Sequence, residues 1–265
     1  ENSAQPPLLR LRLAMERAVL CDFYAKANGK GWKQQKGWLS AADVASWTGV
    51  ATRQPGLVTS LRLNRWEGLC GVLSSKIGGL LSLQQLSIFS TALAGPLPVS
   101  LSSLSSLQLL RLNNTRIAGP IPPEIGKLRC LRELWLNDTH LEGPIPSSIG
   151  ELAELEILDL SASEYRRKMF IEGPLPASLC KLRKLKKLWL QRTFVCNELP
   201  ERVGDLTSLT HLYLFDTNLS GQIPASLGTL SQLRYLYLNQ TDISGPIPPD
   251  IGNLACLEEL HLADT

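Results

Sequence analysis

The stretch Leu107-Gln108-Leu109-Leu110-Arg111-Leu112-Asn113-Asn114-Thr115 returns 24 residues later as Leu131-Arg132-Glu133-Leu134-Trp135-Leu136-Asn137-Asp138-Thr139. Both read L-x-x-L-x-L-x-x-T. The frame recurs at Leu209–Thr217, Leu233–Thr241 and Leu257–Thr265. Its closing Thr stands at 91, 115, 139, 193, 217, 241 and 265, and Ser163 takes the remaining place. The step is 24 residues except from 163 to 193, where it is 30. A fixed period of this length marks a repeat architecture, in which each unit stacks on the next.

The chemistry of one unit explains the pattern. L-x-L is the alternation of a short strand that turns its Leu side chains inward. Between markers runs x-[LIV]-x-G-x-[IL]-P, as in Ile117-Ala118-Gly119-Pro120-Ile121-Pro122, where Gly and Pro are expected to break the strand and turn the chain. The segment P-x-x-[IL]-G-x-L then returns with its apolar residues again inward. Burying a Leu contributes roughly 1.5–3 kcal/mol, while ordering a residue costs about 1.5 kcal/mol. A single unit therefore gains almost nothing by folding alone. Stacked units share one interior, and their strands are expected to form one parallel sheet at about 4.8 Å per step.

Composition agrees with a folded chain. The 265 residues are 44% hydrophobic and 19% charged, with a net charge of +3. That balance excludes disorder and gives no reason to expect a nucleic-acid partner. No apolar run reaches the roughly 20 residues of a membrane-spanning helix. The six Cys (Cys21, Cys70, Cys130, Cys180, Cys196 and Cys256) include no C-x-x-C, which leaves the redox compartment and the localisation open.

The repeat resembles that of the plant-type leucine-rich repeat family over residues 58–265, in about eight or nine copies. Residues 1–57 look like the helical cap preceding such repeats, in the form common in protist and algal chains; the matching pieces are Gly31-Trp32, Gly37-Trp38-Leu39 and Trp47-Thr48-Gly49-Val50. The resemblance implies an α/β repeat solenoid: a right-handed superhelix with a parallel concave sheet. It also implies a cap helix over about 8–27, with Trp32, Trp38 and Trp47 as plugs. Three features depart from the family. Its inward Asn, which bridges adjacent coils, is Thr here, and the hydroxyl is expected to do the same work with one donor. A Thr row facing outward would suggest ice binding, but the register turns it inward. The Cys that flank the cap's last Trp element are replaced by Ala45 and Thr52, and six extra residues fall near 165–170.

Within the frame, the residue between the two strand Leu faces away from the core. Along the stack this position reads Arg62, Ser87, Arg111, Trp135, Asp159, Trp189, Tyr213, Tyr237 and His261. Phe215 lies in the following outward row and Tyr235 in the preceding one. Aromatic side chains mixed with Arg dominate binding hot spots. Arg111, Trp135, Asp159, Trp189, Tyr213, Phe215, Tyr235, Tyr237 and His261 are therefore the candidate contacts for a protein or peptide partner. Cross-strand packing among the rings is the plainer account, and sugar stacking is a third. The segment 164–192 carries a net charge of +7. Arg166, Arg167, Lys168, Lys187 and Arg192 are the candidates there for an anionic partner.

The chain shows no phosphate loop, no H-E-x-x-H and no G-x-S-x-G. His140, His211 and His261 lie in separate units without metal-ligand spacing, so no cofactor or metal is expected. The sequons at Asn113, Asn137 and Asn239 arise partly because Asn precedes the repeat Thr by two. The expected function is a non-enzymatic protein-interaction module. A receptor-type extracellular ectodomain and a structural subunit of a larger assembly are the alternatives. The chain does not open with Met, and Thr265 is a marker residue with no capping unit after it. Further repeats, or a partner over that edge, are expected to follow.

Overall fold

The computed structural model describes residues 6–53, 56–163 and 168–265. Helix α1 (Pro7–Lys26) opens the chain and buries Glu16, Val19, Leu20, Phe23 and Tyr24. Its C-terminal half lies on the first coil. Trp32, Trp38 and Trp47 pack edge to face or tilted, with ring centroids 5.0 Å apart in each successive pair. The Trp32 indole N–H donates to the Ala27 carbonyl at 2.7 Å, and that of Trp38 to the Thr48 carbonyl at 2.9 Å. Glu16 is the unforeseen part of this cap. Its carboxylate is buried, accepts the Val58 N–H at 2.8 Å, and lies 3.4 Å from the Arg12 guanidinium.

The L-x-L segments form the expected parallel sheet. From Leu57–Arg62 to Glu259–His261 each strand pairs in register with the next, so that Leu134, Leu158, Leu188, Leu212, Leu236 and Leu260 align. One antiparallel strand, Val50–Arg53, covers the N-terminal edge of this sheet. The Leu of every coil converge on one continuous core.

The expectation of a single sheet is corrected. Among the described residues the x-[LIV]-x-G segments form a second, eight-stranded parallel sheet, which includes Arg116–Gly119, His140–Pro144 and Asn218–Gly221. The Gly ends this strand instead of preventing it. At Gly119 and Gly143 the chain takes φ of 82° and 78°, a left-handed turn that only Gly enters freely. Short 3-10 turns such as Ser147–Glu151 then carry the chain back to the first sheet.

The Thr row points inward, as the register required, and its hydroxyls donate within their own coils. Thr115, Thr139, Thr193, Thr217 and Thr241 are buried. Each donates to the carbonyl three residues earlier in its own coil, at 2.6–2.8 Å. The main chain itself joins the coils at this level. The Asn114 N–H donates to the Asn137 carbonyl and the Asp216 N–H to the Asn239 carbonyl, each at 3.0 Å. The residue before the Thr holds a left-handed φ of 53–57° at Ser90, Asn114, Asp138, Arg192, Asp216, Gln240 and Asp264. Asn and Asp tolerate that conformation better than other side chains.

The Gly of P-x-x-[IL]-G-x-L sets how closely the coils approach. A Cβ on Gly150 would stand 2.2 Å from the Ser178 carbonyl oxygen of the following coil. Gly150→Ala is expected to lower stability by about 1–3 kcal/mol through overpacking. Urea unfolding checks it, and an unchanged midpoint would refute the close-approach account.

Candidate functional site

The first sheet presents the L-x-L middle residues on its outer face, stacked at the strand spacing. The rings form a ladder. Trp189 lies over Tyr213 with centroids 6.0 Å apart, Tyr213 over Tyr237 at 4.5 Å and 10° between planes, and Tyr237 over His261 at 4.3 Å. A second row runs beside it, with His211 and Tyr235 at 4.7 Å. Phe215 completes the patch, 6.2 Å from Tyr237 and under the Arg192 guanidinium at 5.3 Å. Trp135, Trp189, Tyr213, Phe215, Tyr235 and Tyr237 are half-buried because each ring covers part of its neighbour, while His261 is exposed.

Carboxylates hold the margin of this patch. Glu133 ties the first Trp: it accepts the Trp135 indole N–H at 2.8 Å and pairs with Arg111 at 2.7 Å. The Arg111 guanidinium sits 4.9 Å from the Trp135 ring centroid. Glu258 accepts the Tyr235 hydroxyl at 2.7 Å, and Glu259 accepts that of Tyr237. The bond to Glu259 pushes the Tyr237 phenol up to about 12, and burial lowers His211. Sequence reasoning passed over Glu133 and Glu259. The signal was present, since both stand two residues before an outward ring and so share its face.

Asp159 departs from the expected exposed contact. Its register partners on either side are Trp135 and Trp189. Those two rings lean together over it until their centroids lie 5.5 Å apart, and Asp159 is left 4% exposed. One carboxylate oxygen accepts the Ser161 N–H at 3.0 Å and its hydroxyl at 2.6 Å. No Lys, Arg or His among the described residues pairs with it, and burial pushes its carboxyl up to about 6. Asp138, in the neighbouring coil, adds a second negative charge in the same direction.

The described basic candidates divide between two settings. Arg166 and Arg167 lie outside the described residues. Lys168 and Arg192 both meet Asp216, at 2.8 and 3.9 Å. Lys187 stands on the concave face, with its ammonium 5.1 Å above the Trp189 ring. Lys184 and Lys186 pair with Glu154 and Glu156 of the preceding coil at 2.6 and 2.7 Å. Among the described residues no group of three or more His, Cys, Asp or Glu could hold a metal ion, and no helix is long and apolar enough to cross a membrane.

The sequence model of the leucine-rich repeat region matches residues 58–194 and 176–265. The chain is similar to the leucine-rich repeat ectodomain of the Arabidopsis thaliana membrane receptor kinase GASSHO1/SCHENGEN3, solved in complex with CASPARIAN STRIP INTEGRITY FACTOR 2. Identity is 30% and the TM-score 0.77, over 91% of this chain and 31% of that one. It is similar also to the plant peptide hormone receptor RGFR1 in complex with RGF2, at 28% identity and a TM-score of 0.59, over 82% and 44% of the two chains. A plant ice-binding protein shares the fold at 22% identity and a TM-score of 0.58, over 89% of each chain. The chain spans less than half the length of those two receptors. None of the curated protein sequences matches it.

The raised Asp159 carboxyl makes a pH prediction. The folded chain takes up this proton before an unfolded chain does, so stability rises as pH falls through about 6 towards about 4. Above that window the ionised carboxylate is a net cost. Asp159→Asn keeps an acceptor for Ser161 and removes the charge. It is expected to stabilise the protein by about 1–3 kcal/mol near pH 7.5 and by almost nothing near pH 4. Urea unfolding at the two pH values measures the difference, and a gain independent of pH would contradict it.

Proposed function

Since the chain belongs to the leucine-rich repeat family, we propose that it is a non-enzymatic interaction module that takes a protein or peptide partner across the concave ring ladder. The observation that carries this reading is the continuity of the patch. From Trp189 to His261 the rings run across successive strands of one face, Trp135 joins them across the Asp159 strand, and ion-paired and hydrogen-bonded carboxylates stand at their edge. Contiguous aromatic surface of this kind is where proteins bind one another. The rings already stack on each other, so little side-chain freedom is lost when a partner arrives. From Trp189 to His261 the face is mainly ring surface, which suits an extended segment whose apolar side chains lie along the ladder.

Two similar structures are complexes of plant receptors with CASPARIAN STRIP INTEGRITY FACTOR 2 and with RGF2. They favour a receptor-type ectodomain sensing a peptide as the second reading. We read residues 1–57 as an N-terminal cap of the protist and algal form, on the strength of its three buried Trp. The inward Thr row argues against ice binding, because buried hydroxyls present no ordered array to water.

The test is a comparison of wild type with the Trp189→Ala/Tyr213→Ala double variant. The partner is the protein that co-purifies with the native chain, titrated against each by calorimetry. Affinity is expected to fall by more than about 2 kcal/mol, roughly thirtyfold, with the far-ultraviolet circular dichroism unchanged. An unchanged affinity removes the ladder from the binding site.

A further inference from the structure

The recess at Asp159 is not accounted for by the ladder. Its carboxylate is almost wholly buried, uses one oxygen on Ser161, and pairs with no cation among the described residues. Two acceptors flank it. Asn137 and Gln191 hold the same register as Ser161 on the adjacent coils, since the Asp138 N–H donates to the Ser161 carbonyl and the Ala162 N–H to the Gln191 carbonyl. Asn137 Oδ1 and Gln191 Oε1 are both buried, and neither accepts a hydrogen bond. Buried polar atoms are normally paired, and each unpaired one calls for an explanation. Two buried acceptors without a partner thus stand on the coils either side of Asp159, whose second carboxylate oxygen accepts no hydrogen bond among the described residues.

That set matches one chemistry. A guanidinium carries five N–H donors, no acceptor and a positive charge in a plane that stacks on aromatic rings. The two Trp are not equally fixed. Trp135 is held by its indole bond to Glu133, whereas Trp189 Nε1 has no hydrogen-bond partner among the described residues. Swinging the Trp189 ring aside breaks no hydrogen bond and opens the carboxylate. Among the described residues the cations nearby are engaged elsewhere: Arg111 on Glu133, Lys168 and Arg192 on Asp216, and Lys187 over the Trp189 ring.

We propose that Asp159, Asn137 and Gln191 receive an arginine side chain of the partner, whose guanidinium enters between Trp135 and Trp189 as the Trp189 ring moves. This rests on the concave face being the binding face and adds to it what the partner carries: an arginine that registers an otherwise apolar segment against the ladder. The stacked ring and the charge act together, since a cation over an indole in a site shielded from water is attracted more strongly than one in solvent.

The test needs no partner. N-acetyl-arginine amide is titrated to tens of millimolar while the indole N–H signals are followed by NMR. N-acetyl-citrulline amide, of the same shape but neutral, serves as the control. The Trp189 signal, identified with Trp189→Phe, is expected to shift saturably with arginine amide and at least about fivefold more tightly than with citrulline amide. Asp159→Asn should abolish that preference while the cap indole signals stay in place. The proposal is overturned if the two amides bind alike, if neither shifts the Trp189 signal, or if Asp159→Asn keeps the preference. The ladder reading fails on different evidence, a partner indifferent to Trp189 and Tyr213, so the two failures are told apart.

Discussion

The main-chain ladder between coils is the constraint from which the rest follows. Leu112, Leu136, Leu160, Leu190 and Leu214 each donate an N–H to the carbonyl of the next coil's outward residue: Trp135, Asp159, Trp189, Tyr213 and Tyr237, at 2.9–3.0 Å. This one set of bonds does two things. It turns every strand Leu into the shared interior, and it brings side chains one repeat apart to the strand spacing. Rings at that spacing touch. A slip of one residue would expose the Leu and bury the rings, so core and ladder are two faces of a single register.

The register was legible because it is carried by identity and period together. Leu at three fixed places and Thr at a fourth leave one way to fold each coil inward. The second sheet was not legible, because Ile117-Ala118-Gly119 is too short to show alternation and Gly reads as a breaker. What makes it a strand is pairing with the equivalent segment of the next coil, as in Ala118 with His140 and Gly119 with Leu141. The burial of Asp159 was hidden for a similar reason. Its own position faces outward like the others, and only the lean of Trp135 and Trp189 from the strands on either side covers it. Lys187 was read as part of a basic segment, yet its place two residues before Trp189 puts it on the concave face. Charge counting sees the segment and not the face.

Three carboxylates of this chain show what compensation looks like when it is structural. Asp22 accepts the Ser74 hydroxyl and meets Lys76 and Lys26, and the Ser74 bond leads in holding its carboxyl below the usual range. Glu16 is more buried, and desolvation raises it, but a main-chain N–H and Arg12 share its charge. Among the described residues Asp159 has hydrogen bonds to Ser161 alone and no cation. A buried charge without a counter-charge costs several kcal/mol even after relaxation, and a folded chain gains nothing by holding one. A group held in that condition beside further unpaired acceptors is prepared for something outside the chain.

The position of Asp159 in the repeat supports the same view. It lies in the coil that carries the extra residues, and there the standard interior is altered. The marker is Ser163 and not Thr, it is exposed, and Ala162 before it lacks the left-handed φ of its counterparts. The Ser163 N–H goes instead to the Asp138 carboxylate, at 2.7 Å. Both sheets nevertheless pass through this coil, with Leu158 opposite Leu188 and Ile171 opposite Gly143. Where the neighbouring coils bury a Thr hydroxyl, this one buries Asp159 and Ser161, beside Asp138 of the preceding coil. A solenoid tolerates such a substitution because each coil answers only to its neighbours. One coil can therefore give up repeat regularity for a polar recess while the ladder on either side keeps its register.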